Sequence, residues 1–143
     1  MTEEETGEYP NTVECTFSLS GRDVDPDECL REIGLDTATV WRPRNERLRR
    51  GTALPNVALN FSVGPAPFES IDDAVRLVLA QVAPATDRIV ACAARQGLKA
   101  SMTCLIKVYT DRPLYELSPE SMRAMVVLGA EFSMDLIDLR PDE

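Results

Sequence analysis

An arginine-rich stretch is the part of this 143-residue sequence whose residue types and spacing are best suited to bind a charged molecule. One tryptophan and five arginines lie within ten residues: Trp41, Arg42, Arg44, Arg47, Arg49 and Arg50. Guanidinium groups bind phosphate or carboxylate through paired hydrogen bonds, and an indole ring stacks on a base or a cation. The stretch is therefore the candidate site for an anionic ligand or a protein partner. The alternative is a solvated loop whose arginines neutralise the acidic surface of the same molecule.

The charge of the chain limits the classes of partner. The formal net charge is −9, and residues 1–36 carry 11 of the 24 acidic residues. An acidic surface repels nucleic acid and anionic lipid at long range. We therefore expect a protein partner or a homodimer, with nucleic acid unlikely as the partner and no membrane. Nucleic-acid binding through Arg42 to Arg50 is a third hypothesis, and it predicts retention on a polyanion column that falls steeply with salt.

Catalytic and metal-binding residues are hard to assign in this sequence. It contains no histidine, the usual base for a serine or cysteine nucleophile, so an enzyme would have to rely on carboxylates. Asp23, Asp25 and Asp27 have the spacing that opens a calcium loop, but Glu28 and Gly34 stand where that loop needs Gly and Glu. We predict no catalytic residue, no metal site and no cofactor.

The cysteines and the beginning of the chain indicate a compartment. The four cysteines are isolated within apolar runs, which predicts buried, reduced thiols: Cys15, Cys29, Cys92 and Cys104. A disulfide between Cys15 and Cys104 is the alternative if their strands are neighbours. The first residues are acidic where a secretory signal would be basic, and no run reaches the roughly 18 apolar residues of a membrane span. We expect a cytoplasmic protein.

A sequence of local signals occurs twice along the chain. An alternating apolar strand is followed by a helix that begins at a proline and ends at a glycine, as in Cys15 to Leu19, Asp25-Pro26 and Gly34, and in Cys104 to Tyr109, Ser118-Pro119 and Gly129. Between the two repeats, a strand over residues 57–63 precedes a helix that starts near Ser70. Periodicity does not decide whether Pro84 kinks that helix or divides it.

These signals predict one α+β domain over residues 12–143, preceded by a disordered acidic tail over residues 1–11. Each strand has one polar face, which fits a sheet that is covered on a single side. We expect a four- to five-stranded, largely antiparallel sheet with three to four helices packed on one face. Its two strand-helix-strand units suggest a topology related to the ferredoxin-like plait.

Several residues outside the candidate site allow more than one interpretation, or mark the ends of elements. Methionines 122, 125 and 134 form either core contacts or an adaptable binding surface. Asp135 and Asp138 point to opposite faces of the sheet if the last strand is regular. The pair Asp72-Asp73 is typical of the first turn of a helix. The run Gly64-Pro65-Ala66-Pro67 is expected to end the middle strand.

The chain resembles a family in residues 17–26, in Leu30 and residues 33–35, and in residues 128–130 and 134–136. That family is the uncharacterised bacterial domain of unknown function 4279, and the resemblance extends from about Val13 to Leu139. It implies a fold and no active site. We therefore expect a non-catalytic protein-binding module, of the immunity or accessory type. The alternative is an anion- or small-molecule-binding enzyme that uses carboxylates and the segment Arg42 to Arg50 over the polar face of the sheet.

Overall fold

Alternating apolar and polar residues near the N-terminus form the central strand of a five-stranded sheet. The computed structural model describes residues 9–42, 55–111 and 113–141. In chain order, these residues form β1 (Thr12–Gly21), α1 (Pro26–Ile33), β2 (Thr39–Trp41), β3 (Val57–Ala66), α2 (Ile71–Val82), a 3-10 turn (Ala83–Ala85), α3 (Thr86–Gln96), β4 (Lys99–Val108), α4 (Pro119–Val127) and β5 (Glu131–Asp138).

The strands lie in the order β2-β3-β1-β4-β5. β1 pairs antiparallel with β3 and β4, β2 pairs antiparallel with β3, and β4 pairs parallel with β5. The predicted α+β class is confirmed, and the sheet is mixed. The ferredoxin-like plait is matched only in outline, because the two strands of the first strand-helix-strand unit, β1 and β2, are separated by β3, whereas those of the last unit, β4 and β5, form a parallel pair.

The helix starts follow from capping residues in the sequence. Asp25, Ser70 and Ser118 each accept a backbone hydrogen bond at the N-terminus of a helix. Gly34 and Gly97 end α1 and α3 in the left-handed conformation, as the sequence predicts. The caps therefore fix where each helix begins and ends relative to the strands.

Pro84 divides the long helical region into two helices. The 3-10 turn that contains it separates α2 from α3, and the helical run over Ile71–Gln96 remains nearly continuous. By length and composition alone that run could cross a membrane, with a mean hydropathy of 1.3 in its most apolar window. Core helices pass the same test, and the apolar side of α2 is buried against β1 and β3.

The run Gly64-Pro65-Ala66-Pro67 ends β3 as expected, but the strand does not stop at the glycine. The strand continues to Ala66, and the register of β1 against β3 shifts between Val13 and Cys15. Gly64 has a φ of 90°, and a Cβ atom there would lie 2.5 Å from the carbonyl oxygen of Val13. The glycine therefore allows the two backbones to approach closely at an irregularity of the ladder, instead of ending it.

The core lies on one side of the sheet. Buried residues of β1, β3 and β4 face buried residues of all four helices, and together they form one apolar cluster. The other side is polar, with hydroxyl pairs across the strands: Thr16 with Ser62 at 2.9 Å, and Thr103 with Ser133 at 3.1 Å. The predicted placement of the helices on one face is thus confirmed.

Only the end of the predicted tail falls within the described residues. Residues 1–8 lie outside them. The ring of Tyr9 contacts the ring of Tyr109 at a centroid distance of 5.5 Å. The Asn11 side chain accepts hydrogen bonds from the backbone N–H groups of Tyr109 and Thr110 and donates one to the carbonyl of Asp111. These contacts hold the start of β1 against the end of β4.

Candidate functional site

A groove between α2 and α4 is a concave feature of the described part of the chain. It has a volume of about 410 Å³ and is widely open to solvent. Its walls come from α2, the 3-10 turn, the start of α3 and one side of α4, and its apolar lining consists of Leu79, Ala80, Val82, Ala83, Ala124, Val127 and Leu128. Alanines at three of these positions keep the helices from filling the space between them.

The geometry of the groove depends on Asp72, which joins the N-termini of its two walls. This residue is 7% exposed. Its Oδ1 accepts a hydrogen bond of 3.0 Å from the backbone N–H of Ser118, the cap of α4, and its Oδ2 accepts one of 2.6 Å from Arg76 Nε. A single carboxylate thus accepts a hydrogen bond from the backbone at the N-terminus of α4 and pairs with an arginine of α2. It thereby fixes the distance between the two helices.

Burial disfavours the charged form of Asp72. The hydrogen bonds from Ser118, Ser121 and Arg76 outweigh that effect, and together they hold the pKa of this carboxyl below its usual range. Asp72 is therefore ionised at neutral pH. Its charge is matched by the Arg76 guanidinium, which also reaches Glu120 of α4 at 3.6 Å. This second ion pair crosses the mouth of the groove.

Each polar side chain that lines the groove already has a partner inside the molecule. Arg76 and Glu120 pair with each other. Thr86 Oγ1 donates to the carbonyl of Ala83, and Ser121 Oγ accepts from Ser118 Oγ. The lining therefore offers an apolar contact surface with a charged rim. Such a surface is better suited to bind an apolar side chain of another molecule than to catalyse a reaction.

Only Trp41 and Arg42 of the arginine-rich stretch fall within the described residues, and they lie at the β2 edge of the sheet. Trp41 is the last residue of the edge strand β2, and both Trp41 and Arg42 are exposed. The other four predicted site residues, Arg44, Arg47, Arg49 and Arg50, lie outside the described residues. Neither Trp41 nor Arg42 lines the groove, which opens on the helix side of the sheet. The structure therefore places these two residues outside the groove.

The comparisons with known proteins give one result. The sequence profile of the family described as Domain of unknown function (DUF4279) matches residues 11–139. The chain belongs to that family. No curated protein and no solved structure matches it. The resemblance noted in the sequence is confirmed, and membership of the family supplies no activity.

The cysteines of this family member are buried, free and grouped in two pairs. Cys15 and Cys104 are direct partners across β1 and β4, with their sulfurs 3.6 Å apart, and Cys15 also lies 3.3 Å from the Met102 sulfur. The contact with Cys104, together with burial, raises the pKa of the Cys15 thiol. The expected buried thiols are confirmed, and the alternative disulfide is absent although the strands are neighbours.

The second pair lies between α1 and α3. Burial first, then hydrogen bonding with Glu32 and Cys29, raises the pKa of Cys92 to about 12. Burial also raises the pKa of Cys29. Thiols of this kind are protonated at neutral pH and poorly nucleophilic. Arg95 forms a two-pronged ion pair with Glu32 beside them, which lowers the pKa of the Glu32 carboxyl and fastens α3 to α1.

The aspartates predicted not to bind calcium have structural partners. Asp25 caps α1, and Asp23 exchanges two hydrogen bonds of 2.9 Å with the buried Asn56. Within residues 9–42, 55–111 and 113–141, no group of three potential metal-ligating side chains converges. Asp135 and Asp138 lie on opposite faces of β5 as expected, and Asp138 pairs with Arg140 at 2.6 Å.

The methionines divide between the two alternatives. Met125 is buried in the core, whereas Met122 of α4 and Met134 of β5 are both exposed. The core interpretation therefore holds for one of the three. Sequence reasoning also missed the groove and the role of Asp72, which looked like an ordinary first-turn carboxylate. The signal that could have found the groove is the set of small residues, Ala80, Ala83 and Ala124, on helices that otherwise carry large apolar side chains.

Proposed function

We propose that this protein is a non-catalytic protein-binding module that holds an apolar side chain of a basic partner protein in the groove between α2 and α4. The observation that carries the proposal is the 410 Å³ groove itself, lined by apolar side chains from three helical segments. A cavity of this size accommodates one large apolar side chain and part of a second. The partner would approach from the open side of the groove.

Charge supports a basic partner. The chain has a net charge of −9 and a pI near 4.6. Glu120 stands at the rim of the groove with an exposed side chain, and exposed Asp73 lies at the start of α2. Acidic groups around an apolar pocket steer a positively charged protein toward it and favour the correct orientation. A module of the immunity or accessory type, which masks or escorts a basic protein, has these properties.

The decisive experiment compares a groove position with a matched surface position. Ala80 lines the groove and Ala91 lies on α3 outside it, and both are exposed alanines within helices. A photoreactive amino acid placed at each position in cells that make the protein should crosslink a partner from position 80 and not from position 91. The captured protein is then purified and its Kd is measured directly.

The purified pair tests whether the groove is the anchor. Ala80→Trp fills the groove and should weaken binding by at least 10-fold, whereas Ala91→Trp should leave the Kd within about 2-fold. Binding should also weaken as salt increases, because the partners carry opposite charges. Equal crosslinking from both positions, or full affinity of Ala80→Trp, would overturn the proposal.

A further inference from the structure

The last strand, β5, is a long sheet edge that displays apolar side chains. In the described part of the chain it pairs with β4 alone, and all eight of its residues are exposed. The edge strand on the other side of the sheet, β2, has only three residues. A long exposed edge with apolar side chains is a ready template for pairing with another chain.

The apolar side chains of β5 lie on the same face as the core. Phe132, Met134 and Leu136 are in register with buried residues of β4, yet they are 36%, 46% and 43% exposed. This face of the strand therefore continues the apolar surface of the core beyond the last helix. A further strand paired with β5 would bury this apolar surface.

Helix α4 extends this surface above the strand. Met122 and Val126 are four residues apart, so they lie on one side of the helix, and they are 46% and 78% exposed. The groove residues Ala124 and Val127 lie on the side that faces α2. Because α4 connects β4 to its parallel neighbour β5, the helix lies over this part of the sheet, and the side that faces away from α2 and carries Met122 and Val126 is turned toward the β5 edge.

The free edge of β5 also has backbone groups ready for pairing. The N–H of Leu139 donates to the carbonyl of Val108 at 2.7 Å, so the odd-numbered residues direct their backbone groups toward β4. Backbone groups alternate in direction along a strand. Those of Phe132, Met134 and Leu136 therefore point away from the sheet.

We propose that β5 pairs antiparallel with β5 of a second copy of this chain, with Met134 on the two-fold axis, so that two five-stranded sheets become one. In this register Met134 faces its own copy, and Phe132 faces Leu136 of the other protomer. The two apolar faces then lie on the same side and continue each other. Ser133 faces Asp135, which places a hydroxyl beside a carboxylate.

Charge selects this register over its neighbours. A two-fold axis at Asp135 would place that carboxylate opposite its own copy, and an axis at Ser133 would place Glu131 opposite Asp135. Like charges directly opposite each other destabilise an antiparallel pair. With Met134 on the axis no such pair forms, and Glu131 keeps its ion pair with Lys99, at 3.1 Å. Self-complementarity of this kind is what a closed dimer requires.

The available surface matches a small dimer interface. With about 200 Å² for a large side chain, the exposed fractions of Met122, Val126, Phe132, Met134 and Leu136 leave on the order of 500 Å² of apolar area on each protomer. The edge backbone and the polar side chains of β5 add to it, toward the roughly 800 Å² per partner of a standard interface. Both protomers are acidic, so their association should strengthen as salt increases.

Analytical ultracentrifugation of the full chain over a range of concentrations tests the proposal. The wild type should be a dimer, and Met134→Arg should raise the dissociation constant by about 30-fold or more. Leu77→Arg is the matched control, because Leu77 is an exposed leucine of α2 outside this surface. Circular dichroism of each variant establishes that it is folded. A monomeric wild type, or a Met134→Arg variant that dimerises normally, would overturn the proposal.

The register has its own test. Partners that exchange both backbone hydrogen bonds have Cα atoms about 5.5 Å apart, which suits a disulfide. Since the native cysteines are buried, Met134→Cys should give a disulfide-linked dimer on mild oxidation. Ile137→Cys lies about 20 Å from its own copy in this register and should not. Crosslinking through position 137 instead of position 134 would refute the register.

The proposal stands independently of the groove. Ala80→Trp should leave the dimer unchanged, and Met134→Arg should leave Ala80 free to crosslink a partner. The two associations also respond to salt in opposite directions. Failure of either proposal can therefore be recognised without the other.

Discussion

Replacing Asp72 by alanine tests how the groove is held together. The carboxylate accepts hydrogen bonds from the Ser118 N–H at 3.0 Å, from the Ser118 hydroxyl at 3.3 Å and from Arg76 at 2.6 Å, and it is 7% exposed. A hydrogen bond to a charged group contributes about 1.5–3 kcal/mol, and its loss here also leaves the Ser118 N–H without its acceptor. We expect Asp72→Ala to lower the free energy of unfolding by about 3 kcal/mol at pH 7.

The control lies next to Asp72 in the sequence. Asp73 is exposed and occupies the same first turn of α2, so Asp73→Ala should cost about 0.5 kcal/mol or less. Asp72→Asn keeps an acceptor oxygen and loses the charge, so its loss of unfolding free energy should lie between those of the two alanine variants. Urea denaturation followed by circular dichroism measures all three. For a chain of this size, about 3 kcal/mol corresponds to a fall in Tm of roughly 10 °C.

The effect of Asp72 should depend on pH in one direction. Its pKa is lower in the folded protein than in the unfolded chain, where an aspartate titrates near about 3.9. The stabilisation is therefore complete well above that pH and is lost as the pH falls through the lowered folded value. The difference between wild type and Asp72→Ala should shrink between about pH 5 and pH 2. Equal stabilities of the two alanine variants at pH 7, or a difference that is unchanged at pH 2, would refute this account of the groove.

Two further outcomes follow from the packing of β3 and of the thiols. Gly64→Ala places a Cβ atom 2.5 Å from a carbonyl oxygen at a positive φ, so it should lower the urea midpoint strongly, by about 3 kcal/mol or more in unfolding free energy. In the control variant Gly97→Ala, the added Cβ atom has no neighbour within 4 Å, so the free energy of unfolding should fall by only about 1 kcal/mol. Equal losses of unfolding free energy in the two variants would show that the close approach of Gly64 to β1 is unimportant. The native protein should react with a thiol reagent at pH 8 far more slowly than the unfolded chain, in which all four cysteines react, and fast labelling of the native state would contradict the buried pairs.

Local signals in the sequence predicted much of the fold. The two-residue alternation in β1 and β4 gave the strands and their buried faces, and the capping residues before Pro26 and Pro119 gave the helix starts. These features depend on neighbours in the chain, so periodicity and capping rules find them. The placement of helices on one face followed from the same alternation.

Features that depend on distant residues were not predictable in the same way. The parallel pairing of β5 and the bulge at Gly64 depend on which strand lies alongside, and the groove depends on contact between Asp72 and Ser118, which are 46 residues apart. The exposure of Met134 likewise depends on how far the described helices extend over β5. Periodicity alone left Met134 as either a core residue or a surface residue.

The central position of β1 has a consequence for synthesis of the chain. This strand is synthesised before the other described strands, but one of its two partners, β4, pairs Lys107 with Thr12 and ends at Val108. About 90 residues that follow β1 must therefore leave the ribosome before β1 is paired along both of its edges. Until then the unpaired backbone of β1 and apolar side chains such as Phe17 and Leu19 are accessible to other chains, which favours aggregation of the incomplete protein.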